Sequence, residues 1–260
     1  ETSEENQMPV EECGNMLIMV AALARAEGRA DYALRYWPTL QKWANYLKEK
    51  GLDPENQLCT DDFAGHLARN CNLSLKAIVA LGAYGMLCRM AGRAEEAESW
   101  TKLAAGMAQE WQRMARDEHG AYRLAFDRAG TWSQKYNLVW DRLLGLGLFP
   151  PEVARAEMAG YRKRLNRYGL PLDNRNTYTK LDWVVWSSIL TGNREDFEAL
   201  ISPLYAFLHE TPDRVPMTDW FQTTDGRKVG FQARSVVGGV FIPLLADEGI
   251  WRKWVGKAQR

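Results

Sequence analysis

Apolar positions recur at helical spacing along most of the chain. Glu12–Glu27 places Met16, Leu17, Met19, Val20, Leu23 and Ala24 almost all the way round a helix, the pattern of an element buried on every side. After a turn at Gly28-Arg29-Ala30, a second helix over Asp31–Lys50 spaces Tyr32, Leu34, Tyr36, Trp37, Leu40, Trp43, Ala44 and Leu47 on one stripe. Pro38 is placed to kink it, and Gly51 to stop it. Leu73–Ala91 is again small and apolar, and Arg93–Arg116 is amphipathic. Three stretches share one layout: GRADYALRYW (28–37), GRAEEAESW (92–100) and GNREDFEAL (192–200). Each is a glycine turn, then an acidic residue, then a helix start, where negative charge complements the helix dipole. Phe149-Pro150-Pro151 and Glu248-Gly249 add turns of the same role, with proline suited to open a helix.

This is an internal repeat of five helical hairpins, each joining a buried helix to a more amphipathic one. Longer polar loops separate the hairpins at 51–70, 117–136, 168–180 and 210–232. Short links on one side and long links on the other predict an all-α barrel with every long loop at one end. The loops lead into helix N-termini, whose positive ends favour anionic or polar ligands. Strand is expected only as a short pairing within Ala121–Thr131 and Thr223–Phe231.

Composition narrows this picture. The 260 residues are 46% hydrophobic and 25% charged with a formal net charge of zero, ordinary values for a globular chain. A nucleic-acid partner, which calls for a basic excess, is not expected. The apolar runs Met16–Ala24 and Val236–Ala246 are shorter than the roughly 20 residues of a membrane span, so none is expected. The chain opens on Glu1 without a charged-then-apolar leader, which reads as a processed or truncated product. Cys13, Cys59, Cys71 and Cys88 lack CxxC spacing and histidine partners. Buried free thiols are the expectation, with one disulfide open to an exported protein. No metal or cofactor is expected.

The chemistry gathers in the long loops. Asp53–Asn72 holds the adjacent carboxylates Asp61 and Asp62 and one of the three histidines, His66. A loop this long is functional or disordered, and its Leu58, Cys59, Phe63 and Leu67 argue against disorder. Asp61 or Asp62 is either a helix cap or a site carboxylate. Glu11 and Glu12 open the first buried helix; adjacent helical residues point apart, so only one faces inward. GTWSQKYNLVWD (130–141) crowds Trp132, Lys135, Tyr136, Trp140 and Asp141 together, with Asp141 pairing Arg142 or Lys135 if its role is structural. GLPLDNRNTYTKLDW (169–183) offers a charged network of Asp173, Arg175, Tyr178, Lys180 and Asp182. In 215–235, Asp219 and Trp220 repeat the acid–aromatic pairing, Asp225-Gly226 suits a hairpin turn, and Gln232 and Arg234 would enter a last buried helix. No GxSxG, Walker, HExxH or dinucleotide fingerprint is present.

MPVEECGNM, LDPENQLCTDDFAGHLARN, GTWSQKYNLVWD, GLPLDNRNTYTKLDW, ETPDRVPMTDW and GFQARSVVGGVF, in this order over nearly the whole chain, resemble the glutaminase A family. The resemblance implies a single six-hairpin, glycosidase-like catalytic domain over 1–260, an (α/α)₆ toroid. With five hairpins legible, it also implies a missing N-terminal part as a partner of the same toroid. It implies export to a secreted or periplasmic location, and hydrolysis of the side-chain amide of L-glutamine.

Three functions compete. In the amide reading Asp62 or Glu11 activates water and Asp219 protonates the departing ammonia. In a glycosidase reading two loop acids flank a sugar stacked on Trp132, Trp140 or Trp220. In the third, the barrel binds a glycan or partner and turns nothing over. Asp61, His66, Lys135, Tyr136, Asp141, Arg175 and Arg234 are the remaining candidates for substrate contact.

Overall fold

A computed structural model describes residues 7–59, 66–118 and 120–258. The chain is all-α, as the periodicity predicts. Its helices are α1 (Pro9–Glu27), α2 (Asp31–Arg35), α3 (Trp37–Lys50), α4 (Cys71–Met90), α5 (Ala94–Ala115), α6 (Val139–Leu144), α7 (Pro151–Arg162), α8 (Leu181–Ser188), α9 (Arg194–Glu210), α10 (Pro243–Ala246) and α11 (Glu248–Ala258). Among the described residues there are also two strands, β1 (Tyr178–Lys180) and β2 (Trp220–Gln222), and two 3₁₀ segments, Tyr136–Leu138 and Ser235–Phe241. The chain divides into two compact units. The first takes in Glu1–Glu118, Tyr122–Gly130 and Trp140–Pro150; the second takes in His119–Ala121, Thr131–Val139 and Pro151–Arg260.

In the first unit α4 is the core element, packed by α1, α3 and α5. Every residue from Cys71 to Gly85 is buried. α4 is long and apolar enough to cross a membrane, but 94% of that apolar window lies inside the protein. Asn70 caps it, its side-chain Oδ1 accepting from the N–H groups of Asn72 (2.8 Å) and Leu73 (3.1 Å). The indole of Trp111 on α5 donates to Cys71 O at 2.8 Å, and Leu124 O accepts from Cys71 N, tying the loop after α5 to the start of α4.

Two expectations for this unit are corrected. α1 is buried along one stripe, Val10, Gly14, Leu17, Ile18, Ala21 and Ala24, while Met19 and Leu23 are exposed. The helix expected over Asp31–Lys50 with a kink at Pro38 is instead broken at Tyr36, the C-cap of α2 and the N-cap of α3. Pro38 lacks the N–H that would continue α2 and is tolerated only in the first turn of a new helix. The glycine turns hold: Gly28, Gly92 and Gly192 all have φ near +70°, a conformation costly for any residue with a Cβ. All four cysteines are free thiols.

In the second unit α8 packs against α9, against the segment Ser235–Phe241 and against Tyr136–Leu138. The sheet differs from expectation: β1 pairs antiparallel with β2 in the register Tyr178↔Gln222, Thr179↔Phe221, Lys180↔Trp220. Only the single bridge Phe221↔Lys228 reaches into the 223–231 stretch. Phe221 stacks on Phe207 of α9, closing the core beneath the sheet. The last buried helix expected after Arg234 is instead a 3₁₀ segment. Ser235–Phe241, α10 and α11 contain no buried residue. Gly238-Gly239 removes the side chains and the helix propensity that a buried α-helix would need.

Candidate functional site

The second unit contains a buried cluster of charge built where β1 runs into α8. Side chains alternate along β1. Thr179 Oγ1 accepts from Gln134 Nε2 at 3.1 Å on one face, and Lys180 turns to the other. There its ammonium meets the carboxylate of Asp219, which is fully buried and also paired with the Arg234 guanidinium. The loop carrying Asp219 is pinned to the start of α8 because Leu181 N donates to Asp219 O at 2.7 Å.

One residue further on, in the first turn of α8, lies Asp182, 5% exposed. Its Oδ1 is buried and makes no hydrogen bond among the described residues. Burial pushes this carboxyl up to about 6, opposed by the charge of Lys180, by the N–H groups of residues 182 and 183 and by Arg234. Burial likewise pulls the Lys180 ammonium down to about 8; the charge of Asp182 opposes the shift and that of Arg234 adds to it. Such opposed displacements beside a specific charge partner make the pair a candidate functional site. A Cβ placed on Gly239 would come within 2.9 Å of Asp182 Cβ, so the 3₁₀ segment lies against Asp182. Trp186 Nε1 donates to Gly239 O at 3.0 Å and holds the segment there.

The aromatic residues around the cluster are committed to protein partners. Tyr136 stacks on Trp183 with centroids 4.4 Å apart and planes 8° from parallel. Lys180 Nζ lies 5.5 Å from the Trp183 ring centre. Trp220 is met edge-on by Tyr178 at 5.3 Å, and its six-membered ring is approached closely by Gly230. The Arg234 guanidinium lies over the exposed ring of Phe231 at 4.1 Å.

Of the residues singled out in the sequence, Tyr136, Tyr178, Lys180, Asp182, Asp219, Trp220 and Arg234 belong to this cluster or its aromatic surround. The rest of the second-unit candidates lie in other networks. Trp132 is covered by the Arg164 guanidinium at 4.9 Å, and its N–H donates to Asn174 Oδ1. Lys135 is buried, donating to Ser133 O and Oγ at 3.0 Å with Glu157 at 3.9 Å, while its backbone N–H donates to the Tyr161 hydroxyl. Arg175 forms a two-pronged pair with Asp173 at 3.0 and 2.7 Å.

In the first unit, Glu11 is buried and its Oε1 accepts from Lys76 Nζ at 2.6 Å. Glu12 beside it is exposed, so of the two only Glu11 turns inward. Asp141 pairs with neither Arg142 nor Lys135. Its two oxygens accept from the N–H groups of Leu148 (2.9 Å) and Phe149 (3.2 Å), shaping the turn before α7, and burial raises its carboxyl above the usual range. Trp140 is half-buried and His66 exposed. Asp61 and Asp62 lie outside the described residues. Among the described residues no group of three or more His, Cys, Asp or Glu side chains could hold a metal ion.

Asp182 and Lys180 were read from the sequence only as members of a charged network and not as catalytic or substrate-binding groups, although both stand in TKLDW with aromatic and apolar neighbours. The usable signal was an acid two residues after a lysine at the start of an apolar helix. Desolvation, which gives the pair its chemistry, has no trace in local spacing.

Comparison with known proteins follows the same line. The description "Glutaminase A six helical-hairpin domain" matches residues 1–244. The chain is 35% identical over 250 residues to "Glutaminase A" of Aspergillus oryzae, covering 93% of this chain and 36% of that protein. It is 33% identical over 246 residues to a "Probable glutaminase" of Arthroderma benhamiae, covering 82% of this chain and 28% of that protein. The chain thus spans about a third of the length of the curated relatives it matches.

Proposed function

The chain belongs to the glutaminase A six helical-hairpin family, and from that premise we propose that it hydrolyses the side-chain amide of L-glutamine at the Asp182–Lys180–Asp219–Arg234 cluster. The observation that carries the reading is Asp182: a buried carboxyl with one oxygen free of hydrogen bonds and its titration moved up to about 6. A group that titrates close to working pH can both take and return a proton. As carboxylate, Asp182 accepts a proton from a water adding to the amide carbon. It then gives that proton to the nitrogen as the C–N bond breaks, leaving glutamate and ammonia.

Lys180 supplies positive charge for the oxygen that turns negative as water adds, in a site where low exposure strengthens that attraction. Asp219, paired with both cations, is suited to fixing them in place. This reassigns the proton donor from Asp219 to Asp182. The activity of the longer relatives enters only as their printed names, so the substrate is part of the proposal.

A small amide is favoured over a glycan by the state of the rings. Two of the three rings expected to stack on a sugar, Trp132 and Trp220, are engaged by Arg164 and Tyr178, and the third, Trp140, is half-buried. The test is ammonia release from L-glutamine by the protein and by Asp182→Asn. Loss of about 100-fold or more in kcat, the scale of a general acid–base group, with an unchanged circular dichroism spectrum is the expected result. Equal release by the two proteins would remove Asp182 from the reaction, and no release by either would remove the substrate.

A further inference from the structure

Of the cluster's ion-paired side chains Arg234 reaches the surface: it is 34% exposed, against 2% for Lys180 and none for Asp219. It is also firmly placed. Nε and Nη2 donate to the two oxygens of Asp219, and the guanidinium lies over Phe231. Its backbone caps the 3₁₀ segment, with Val237 N donating to Arg234 O, and the preceding Ala233 is pinned by its N–H to Met217 O at 2.9 Å. Nη1 makes no hydrogen bond among the described residues.

Lys180 and Arg234 face Asp219 and Asp182 in this cluster, and of the two cations only Arg234 brings its charge to the surface. An oriented guanidinium edge with a donor to spare is a carboxylate-binding device.

Resting on the amide-hydrolysis reading, we infer that Arg234 holds the α-carboxylate of the substrate, so that the site takes free α-amino acid amides and disfavours glutamine residues whose carboxyl is tied up in a peptide bond. The substrate is then gripped at its carboxylate by the exposed edge of Arg234, with the side-chain amide left to reach inward to Asp182. Arg234 is in this role a specificity-determining residue, because the carboxylate is remote from the bond that breaks.

The experiment compares ammonia release from L-glutamine and from L-glutamine α-(N-methylamide), which keeps the side-chain amide and lacks the α-carboxylate. Each is measured with the wild-type protein, Arg234→Met and Arg234→Lys, and calorimetric binding of L-glutamate is recorded for all three. The wild type should prefer glutamine in kcat/KM by about 10- to 100-fold, the scale of one charge-assisted hydrogen-bonded contact. Arg234→Met should bring that ratio close to one, and Arg234→Lys should keep part of it. A wild-type protein that uses both substrates equally, or an Arg234→Met protein with the wild-type ratio, overturns the inference and leaves the hydrolysis reading standing. If neither substrate releases ammonia, the hydrolysis reading falls and L-glutamate binding decides the anchor. Binding lost in Arg234→Met and retained in Arg234→Lys upholds it; binding equal in all three, or absent from the wild type, overturns it.

Discussion

At the scale of single residues, Asp182 and Asp219 are two buried carboxylates with opposite consequences for stability. The Asp182 carboxyl titrates at about 6 in the folded protein against 3.8 as a free side chain. Between those values the folded state holds a proton that the unfolded state has released, so the contribution of this group to stability falls as pH rises through that window, by about 3 kcal/mol in all. Asp182→Asn should therefore be more stable than the wild type at pH 7, with the gain fading by pH 4; urea unfolding at the two pH values measures it. Asp219 is fully buried and paired with two cations. Asp219→Asn leaves Lys180 and Arg234 short of their counter-charge in a buried site, and a loss of about 3–5 kcal/mol in the same assay is expected. A variant that is inactive but stabilised at Asp182, beside one destabilised at Asp219, separates a reacting group from a holding group.

At the scale of elements, caps and turns decide where helices start, and most of them were legible. Gly28, Gly92 and Gly192 stand at left-handed positions, and their glycine-then-acid pattern marked the hairpins. Asn70 was less conspicuous: a cap needs its side chain returned to the N–H groups of Asn72 and Leu73, which sequence permits without requiring. Asn70→Ala should cost about 1 kcal/mol, within the range of lost N-caps, read as a shift in the thermal unfolding midpoint. The break at Tyr36 shows the limit of periodicity. The apolar stripe runs unbroken from Tyr32 to Leu47, and only the missing N–H of Pro38 ends one helix and begins the next.

At the scale of the whole molecule, burial is unevenly shared. α4 is enclosed on every side, whereas Ser235–Phe241, α10 and α11 expose Val236, Phe241, Leu244, Leu245 and Trp254. Local opening follows buried apolar contact. Amide hydrogen exchange should be slowest in Cys71–Met90 and faster by several orders of magnitude over 235–258; comparable protection in the two stretches would contradict the burial pattern. Because the 3₁₀ segment rests on Asp182 through Gly239 and Trp186, Trp186→Phe should raise exchange in 235–241 further without affecting α4.

The sequence by itself determined the helical class, the hairpin turns, the long polar loops and the family, because each rests on spacing or residue type within a few tens of positions. It also placed Asp219, Trp220, Tyr136 and Arg234 among the candidates, since acid, aromatic and basic residues crowd those loops. Tertiary structure alone decided the surroundings of each acid. Glu11 turned to Lys76 and Asp141 to the backbone of Leu148 and Phe149, while Asp182 was buried beside two cations with an oxygen unbonded. Desolvation and charge pairing depend on what arrives from distant segments. The same Asp can be a cap, a salt-bridge partner or a proton carrier until the fold chooses its neighbours.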